Sequence, residues 1–516
     1  MKQRRVRFAP SPTGPLHMGG VRTALYNYLY AKQSGGKFIL RIEDTDSQRF
    51  VPGSEEYVIE SLGWCGIMPD EGVDKYGKIV EIPCAEHPHA PYRQSQRKHI
   101  YRKYAEQLVA TGNAYYAFDT PEELETLRKE AEAEKSSFIY NYESRTSLKN
   151  SLTLPAEEVE RRLVLETGWT IRFKIPENRV VKMNDLIRGD IEVNTSTLDD
   201  KVLWKRADEL PTYHLANIVD DHLMEITEVI RGEEWLPSLP LHYLLYEAFG
   251  WDENRPQFAH LSLLLKPDGK GKLSKRDGDR LGFPVFPLQW INSDGEISRG
   301  YREDGYFPEA FVNILAFLGW NPGTEQEIFT LDELTEVFSL ERVVKSGARF
   351  NHDKAKWYNQ EYLRRKSTQE LVEDFRVLEG ERLASFDDNY VGAAVELIRE
   401  RAYFVHEFWT LCDFIFEAPQ DYDPAGVNKF WKDDIKEIIL QVADFLNGLE
   451  PFCKSIIEEK LQNLITINSW GMGKVMNTLR LILVGRSSGP GVADIMHILG
   501  KKEVSRRISN AIARLG

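Results

Sequence analysis

The chain has 516 residues, a formal net charge of −14, and 42% hydrophobic and 11% aromatic residues. This composition is ordinary for a folded soluble protein, and the length predicts roughly three to five domains. No apolar run is long enough to span a bilayer and no apolar leader opens the sequence, so we expect neither a membrane span nor a secretory signal. The four cysteines lie far apart without a CxxC pair, which predicts reduced thiols and a cytoplasmic location.

The first informative segment is VRFAPSPTGPLHMGG, residues 6–20. A strand-like run with Val6 and Phe8 stops at prolines and glycines, and a helical pattern begins at Val21. Glycines in such a turn let a ligand approach the backbone, and a helix N-terminus offers unpaired N–H groups to phosphate. His17 in the turn can donate a hydrogen bond to phosphate oxygens as charge develops in a transition state.

The next strand is predicted at FILRIEDTD, residues 38–46. Strands alternate with helices up to about residue 100, which predicts a parallel sheet whose carboxyl edge binds ligands. Between about 101 and 211 the pattern changes to Glu- and Lys-rich helices at 122–135 and 156–166, with short strands at 169–175 and 189–194.

The sheet pattern resumes near Tyr213 and leads through LSLLL, residues 261–265, to the cationic loop KGKLSKR, residues 270–276. Residues 281–300 are predicted to form an extra loop, to which we assign no function. Beyond about residue 330 the pattern is almost entirely helical. Residues 470–516 contain eight basic and two acidic residues, so a basic face could bind a phosphate backbone despite the acidic total.

Together these motifs resemble the class I aminoacyl-tRNA synthetases, and within them the bacterial type of glutamyl-tRNA synthetase. His17-Met18-Gly19-Gly20 is similar to the family's His-Ile-Gly-His motif, and Lys272-Leu273-Ser274-Lys275-Arg276 to its Lys-Met-Ser-Lys-Ser motif. TYHLANIVDDHLMEITEVIRGEEW, residues 212–235, adds to the resemblance. The helical C-terminal half separates this chain from glutaminyl-tRNA synthetases, which carry β-barrels there.

The resemblance implies an α/β fold, with a Rossmann-type catalytic domain, an inserted α+β domain that binds the acceptor end, and an all-α anticodon-binding region. The implied boundaries are 1–100 and 212–280 for the catalytic domain, 101–211 for the insertion, 281–345 for a stem-contact domain, and 346–400 and 401–516 for two helical anticodon-binding subdomains.

The reaction implied is ligation of L-glutamate to the 3′ end of tRNA-Glu through a glutamyl-adenylate. His17, Lys272 and Lys275 are the predicted catalytic residues, because phosphoryl charge must be stabilised and no protein nucleophile is required. Magnesium is expected to arrive with ATP. The predicted ATP site consists of Pro10, His17, Gly19, Glu234, Trp235, Leu264, Lys272, Ser274 and Lys275.

Glutamate carries two carboxylates and one ammonium, so its site needs cations and an anion. By resemblance the glutamate site consists of Arg7, Ser11, Glu43, Tyr213, Asn217 and Arg231. Glu43, helped by Ser11, is predicted to bind the ammonium. Arg7 and Arg231 are predicted to bind the carboxylates, with Arg231 at the side-chain end. A bidentate arginine contact suits a carboxylate better than an amide, which would favour glutamate over glutamine.

Many bacterial relatives carry a zinc site in the insertion, with a Cys-x-Cys after an Ala-Tyr pair. Here the corresponding stretch is AYYAFDT, residues 114–120, with Ala117 and Asp119 in place of the cysteines. Since the thiolates are missing, we predict no zinc and no other metal site in the protein.

Arg364 and Arg480 occupy the positions of the family's anticodon contacts. An arginine at position 364 suggests discrimination between tRNA-Glu and tRNA-Gln, while an enzyme charging both tRNAs is the alternative. A non-catalytic tRNA-binding paralogue is disfavoured by the intact motifs, and a small nucleotidyltransferase by the long helical half. The expected partners are tRNA-Glu, L-glutamate and ATP, with no membrane, and we expect a monomer.

Overall fold

The computed structural model describes residues 3–46, 49–274, 277–432 and 434–516, without the side chain of Asp279. The chain forms two compact units. The first contains residues up to 304 and residues 308–352, and the second contains residues 305–307 and 353–516. Among the described residues, no helix combines the length and the apolar character needed to cross a lipid bilayer.

The first unit contains all the strands of the described chain. The strands are β1 Arg5–Phe8, β2 Lys37–Leu40, β3 Ala114–Ala117, β4 Thr170–Phe173, β5 Val180–Asp185, β6 Gly189–Asn194, β7 Val202–Lys205, β8 Leu210–Pro211, β9 Glu228–Gly232, β10 Gln257–Leu261, β11 Leu264–Leu265, β12 Trp290–Ile291, β13 Ile297–Ser298 and β14 Ala348–Arg349.

The helices of this unit cover the sheets and connect their strands. They are α1 Met18–Lys32, α2 Ser54–Trp64, α3 Lys98–Ala110, α4 Pro121–Ala133, α5 Ala156–Leu165, α6 Tyr213–Leu223, α7 Leu239–Ala248, α8 Asp277–Leu281, α9 Pro308–Ala316 and α10 Leu331–Val337.

A six-stranded sheet forms the centre of the first unit, in the order β2-β1-β9-β10-β5-β6. All neighbours are parallel except β5 and β6. The apolar runs predicted as strands are buried on both faces, as expected for a parallel sheet. Strand β1 lies between β2 and the much later β9, so the strand order switches from one side of β1 to the other. Parallel sheets of this kind bind ligands at such a switch point.

Two elements of the motif region differ from the prediction. Helix α1 begins at Met18 rather than Val21, because the His17 side chain caps it. Strand β2 ends at Leu40, before the predicted end at residue 46. The chain stays extended beyond it, and the Glu43 N–H donates to the Pro10 carbonyl at 3.0 Å.

The hairpin β5–β6 comes from the segment predicted as an insertion, yet it extends the catalytic sheet. Asp185, the last residue of β5, is paired in register with Phe258 of β10. The remainder of that segment forms a separate antiparallel sheet in the order β3-β4-β7-β8, together with α4 and α5. The inserted segment therefore contributes side chains to the edge of the catalytic sheet.

The second unit is helical in its described part, as the sequence predicted. Its helices are α11 His352–Arg365, which begins in the first unit, α12 Thr368–Leu383, α13 Asp388–Ile398, α14 Phe408–Phe416, α15 Pro424–Phe430, α16 Ile435–Asn447, α17 Lys454–Ile467, α18 Met472–Val484 and α19 Val492–Leu515. The helix α19 is interrupted at Gly500, whose φ is 76°.

Candidate active site

His17 is the N-cap residue of α1. Its Nδ1 accepts a hydrogen bond from the Gly19 N–H at 3.1 Å. Because Nδ1 accepts, the proton of the neutral ring must be on Nε2. The capping bond therefore fixes the tautomer that presents an N–H donor. Gly19 has no side chain to fill the space beside this ring, and a Cβ there would lie 3.4 Å from Nδ1.

The segment 264–274 forms a tight hairpin that presents the cationic motif. Leu265 and Lys272 form an antiparallel bridge, and the Leu273 N–H donates to the Leu264 carbonyl at 2.8 Å. Lys272 Nζ lies 3.3 Å from Glu234 Oε1, and both side chains are about half exposed. The Ser274 hydroxyl donates to Asp277 at 2.6 Å. Lys275 and Arg276 lie outside the described residues.

One cavity of about 270 Å³ lies at the carboxyl ends of β1 and β9. It brings together all of the predicted glutamate and ATP residues that the structure describes, except Ser274. These are Arg7, Pro10, Ser11, His17, Gly19, Glu43, Tyr213, Asn217, Arg231, Glu234, Trp235, Leu264 and Lys272. The two sequence motifs, separated by about 250 residues, thus line the same cavity.

Arg7, on β1, is held by a buried carboxylate. Asp221 Oδ1 accepts from Arg7 Nε at 3.0 Å, and Oδ2 accepts from Nη2 at 3.2 Å. Arg41 Nη1 donates to the same Asp221 at 2.7 Å. Although burial opposes ionisation, these two arginines lower the pKa of Asp221. The charge of Arg7 is thus balanced inside the protein, and its Nη1 has no hydrogen-bond acceptor among the residues that the structure describes.

Glu43 and Asn217 place acceptor oxygens on one side of the cavity. Glu43 Oε1 accepts from Arg41 Nη2 at 2.9 Å and from Asn217 Nδ2 at 3.0 Å. Asn217 Oδ1 is buried and has no hydrogen-bond partner among the described residues. A buried acceptor of this kind is costly unless a ligand donates to it. The pair is suited to an ammonium group.

Arg231, on β9, is the contrasting arginine of the cavity. Its Nη1 donates to the Tyr213 hydroxyl at 2.8 Å, and its Nε donates to His260 Nε2 at 3.0 Å. It forms no ion pair with any residue that the structure describes, although its side chain is buried. Burial lowers the pKa of Arg231. A buried cation with neutral neighbours is suited to an anionic ligand.

Sequence reasoning missed the residues that hold these arginines. Arg41 and Asp221 lie within the motif segments 38–46 and 212–235, but nothing in their spacing indicated that they form one buried network. Asp185 and His260 were not singled out at all. The sequence pattern gave little indication of this pair, because Asp185 and His260 are 75 positions apart.

Asp119, at one of the two positions where the sequence analysis expected cysteines to be missing, is held by hydrogen bonds. It accepts hydrogen bonds from the Tyr140 hydroxyl at 2.9 Å and from the Lys149 N–H at 3.0 Å. Tyr140 packs with Tyr115, Ala117 and other apolar side chains in a small core. In the described ranges, no group of three His, Cys, Asp or Glu side chains is arranged to hold a metal ion.

In the second unit, both predicted anticodon arginines lie close to the turn 399–401. Arg364 forms ion pairs with Glu361 at 2.7 Å and Glu400 at 2.9 Å. Arg480 donates to Asn477 at 2.8 Å, and burial together with the positive charge of Arg401 lowers its pKa. Arg401, which is not among the residues predicted from the sequence, therefore adds positive charge near Arg480.

The basic segment 470–516 is less available than its composition suggested. Five of its basic residues form ion pairs with described residues, three of them with acidic residues outside the segment. The pairs are Lys474–Asp434, Arg486–Asp413, Lys501–Glu450, Arg506–Glu503 and Arg507–Glu503. The excess of positive charge in this segment is therefore partly neutralised within the fold.

Comparison with known proteins agrees with this geometry. A model of the catalytic domain of tRNA synthetases class I (E and Q) matches residues 3–357, and a model of an anticodon binding domain matches residues 366–512. The chain therefore belongs to the class I tRNA synthetases of the E and Q group.

Individual relatives carry a more specific name. The glutamate–tRNA ligase of Porphyromonas gingivalis is 54% identical over 513 residues, covering 99% of each chain. That of Flavobacterium johnsoniae is 54% identical over 514 residues, covering both chains fully. The crystal structure of a glutamate tRNA ligase from Elizabethkingia meningosepticum, in complex with its amino acid, is 52% identical and covers 100% of both chains, with a TM-score of 0.93.

Proposed function

We propose that the protein ligates L-glutamate to the 3′ end of tRNA-Glu in an ATP-dependent reaction. The observation that carries this is one cavity lined both by Arg231, which is buried and hydrogen-bonded to neutral partners, and by the acceptors Glu43 and Asn217. Such a site is complementary to an amino acid that has an ammonium group and an additional carboxylate. The names of relatives that match the full length support the same assignment.

In the first step, an oxygen of the glutamate α-carboxylate attacks the α-phosphorus of ATP, and pyrophosphate leaves. The protein lowers the barrier by placing the two reactants together and by stabilising the added charge. His17 donates its Nε2–H to an α-phosphate oxygen, since its tautomer is fixed by the capping bond. Magnesium, entering with ATP, would neutralise phosphate charge. In the second step a hydroxyl at the tRNA 3′ end attacks the acyl carbon, and AMP leaves.

Lys272 acts on the β- and γ-phosphates together with Lys275. Lysine is a compact point charge that suits phosphate neutralisation. The ion pair of Lys272 with Glu234 joins two exposed side chains, and such pairs contribute little stability. Phosphate oxygens can therefore displace Glu234 at small cost.

A direct test of this function compares charging of purified tRNA-Glu and tRNA-Gln. We expect glutamate-dependent ATP–pyrophosphate exchange in the presence of tRNA-Glu, and stable glutamylation of that tRNA. Exchange with another amino acid, or none with glutamate, would contradict the proposed function. The location is proposed to be the cytoplasm, and the active form a monomer.

Arg364 is proposed to read the third anticodon base, which is C in tRNA-Glu and G in tRNA-Gln. Its donors suit an acceptor-bearing pyrimidine edge, whereas a purine would crowd the site. In the protein alone, the guanidinium is held by Glu361 and Glu400, so tRNA binding would exchange ion pairs for base contacts. Arg480 and its neighbour Arg401 would contact the anticodon beside it.

Replacing Arg364 with glutamine should raise the charging of tRNA-Gln relative to tRNA-Glu. We expect the ratio of the two kcat/KM values to change by an amount equivalent to about 1–3 kcal/mol. The rate of glutamyl-adenylate formation should be unchanged, because the residue lies outside the catalytic unit. The matched control is Arg365→Gln, which removes an exposed arginine from the next position of the same helix. An equal effect of both variants would show that only general charge was lost.

We also predict that the protein contains no structural zinc. Elemental analysis of purified protein should give far less than one zinc per chain, because Asp119 and Ala117 cannot replace two thiolates. Prolonged chelation should leave the melting temperature unchanged. A stoichiometric zinc that resists chelators would contradict this prediction.

A further inference from the structure

Behind Arg231, two buried side chains that line no part of the catalytic cavity form a chain of hydrogen bonds. His260 of β10 is the register partner of Arg231 on β9, and its Nε2 accepts from Arg231 Nε at 3.0 Å. Its Nδ1 lies 2.6 Å from Oδ2 of Asp185 at the end of β5. Both side chains are fully buried.

The direction of these hydrogen bonds is fixed by the chemistry of the partners. The arginine Nε–H can only donate, so His260 Nε2 must accept. The single proton of the neutral ring is therefore on Nδ1, where it is donated to the Asp185 carboxylate. Asp185 is itself oriented, because its Oδ1 accepts from the backbone N–H groups of Ile187 at 3.0 Å, Arg188 at 2.8 Å and His260 at 3.3 Å.

We infer that Asp185 and His260 are positioning residues that hold Arg231 ready for the side-chain carboxylate of glutamate. This inference rests on the role proposed for Arg231. The imidazole transmits the orientation imposed by Asp185, yet it touches the guanidinium only with a neutral acceptor. In contrast, Arg7 in the same cavity is bound directly by the Asp221 carboxylate, which balances its charge.

As a consequence, the two arginines differ in their attraction for a further carboxylate. Direct contact with a carboxylate would leave Arg231 with little attraction for a second carboxylate. Placing the anion one ring away keeps the guanidinium fixed in orientation but still in need of a negative partner. Asp185 and His260 thus act on specificity for glutamate over glutamine, through Arg231.

The protonation states agree with this arrangement. Burial lowers the pKa of His260, and the positive charges of Arg231 and Arg188 add to this effect, while Asp185 opposes it. Burial raises the pKa of Asp185, but the hydrogen bonds from His260 and Arg188 outweigh burial and lower it. Among the described residues, His242 of α7 also interacts electrostatically with the ring, and burial lowers the pKa of His242 as well. His260 is therefore neutral, and Asp185 ionised, at neutral pH.

The first test is Asp185→Asn, which changes the charge with almost no change of volume. The three backbone donors require the amide oxygen at the Oδ1 position, so the NH₂ group must face His260 Nδ1. The imidazole then has to carry its proton on Nε2, against the Nε–H of Arg231. We expect the KM for glutamate to rise about 10- to 100-fold, as for the loss of other orienting partners, with kcat and the KM for ATP little changed.

A pair of His260 variants separates the hydrogen bond to Arg231 from the hydrogen bond to Asp185. His260→Gln places an amide oxygen near the position of Nε2 and can still accept from Arg231. His260→Asn can still donate to Asp185, but it leaves Arg231 Nε without its acceptor. We expect the KM for glutamate to rise much less in the glutamine variant than in the asparagine variant. A role in packing alone would not produce this order.

The pH dependence of the wild type provides a test without any variant. Protonation of His260 places an N–H against the guanidinium and should raise the KM for glutamate. Because the pKa of His260 is lowered, this rise should begin only at a pH below the ordinary histidine value of about 6.5. The KM for ATP should not follow, and the His260→Gln variant should lose this dependence. Glu228→Gln, which removes a buried carboxylate from β9 away from the cavity, is the control for general effects on the sheet.

Two results would overturn the inference in a wild type that shows glutamate-dependent exchange. One is an unchanged KM for glutamate in both Asp185→Asn and His260→Asn. The other is a rise of the KM for ATP that parallels the rise of the KM for glutamate in these variants, together with the same rise of both KM values in Glu228→Gln. If Asp185→Asn does not fold, the histidine pair and the pH profile decide. A wild type without glutamate-dependent exchange would instead contradict the proposed function.

Discussion

Replacing Arg231 with alanine is expected to reduce kcat/KM for glutamate by about 30- to 5,000-fold, equivalent to about 2–5 kcal/mol. The substitution leaves the substrate carboxylate buried without its cation, and it also removes the donors to Tyr213 and His260. The side chain of glutamine carries no negative charge that could lose a partner, so the much lower kcat/KM for glutamine should change less. The measurement is ATP–pyrophosphate exchange with each amino acid at saturating tRNA.

The control for this prediction is Arg231→Lys, which retains a positive charge but cannot form the forked contacts. We expect it to retain some preference for glutamate and to be intermediate in activity. If charge alone were sufficient, the lysine variant would be equal to the wild type. An unchanged kcat/KM for glutamate in Arg231→Ala would remove this residue from the glutamate site.

The fold was largely predictable because the signals were local. The turn around His17 and the alternation of apolar strands with helices indicated a parallel sheet, and the structure contains one. The ends of elements were less accessible, as β2 shows by ending at Leu40. Beyond Leu40 the chain remains extended, but Arg41 and Glu43 direct their polar groups to partners elsewhere, which no periodicity reveals.

The residues that line the cavity were easier to predict than the side chains that hold those residues in place. Residues such as Arg7 and Glu43 belong to recognisable motifs, and the structure places them in one cavity. The side chains that hold them depend on strand order. The hairpin of β5 and β6 carries Asp185 into the sheet from a segment that resembled a separate domain, and only the parallel pairing with β10 brings it next to His260.

In the helical half, the net charge of a sequence segment was a poor predictor of a phosphate-binding surface. The sum over residues 470–516 counts acidic residues near in sequence, whereas ion pairs form between residues near in space. Arg486, for example, pairs with Asp413, which is 73 positions away. A basic segment indicates a phosphate-binding surface only where the fold leaves its charges without such partners.

The second large effect is expected at His17. Replacing it with alanine should slow glutamyl-adenylate formation by about two to three orders of magnitude, the typical loss for one charge-stabilising donor. The affinity for glutamate should change much less, because Arg7, Glu43 and Arg231 remain in place. Single-turnover measurement of adenylate formation separates this chemical step from tRNA charging.

Alanine also removes the N-cap of α1, which is worth about 0.5–2 kcal/mol of stability. The matched control is therefore His17→Asn, because asparagine is a favourable N-cap residue and its Oδ1 can accept from the Gly19 N–H as Nδ1 does now. We expect this variant to melt close to the wild type and yet to form adenylate as slowly as the alanine variant, since it has no donor in the place of Nε2–H. An asparagine variant with near wild-type single-turnover rates would show that His17 only caps the helix.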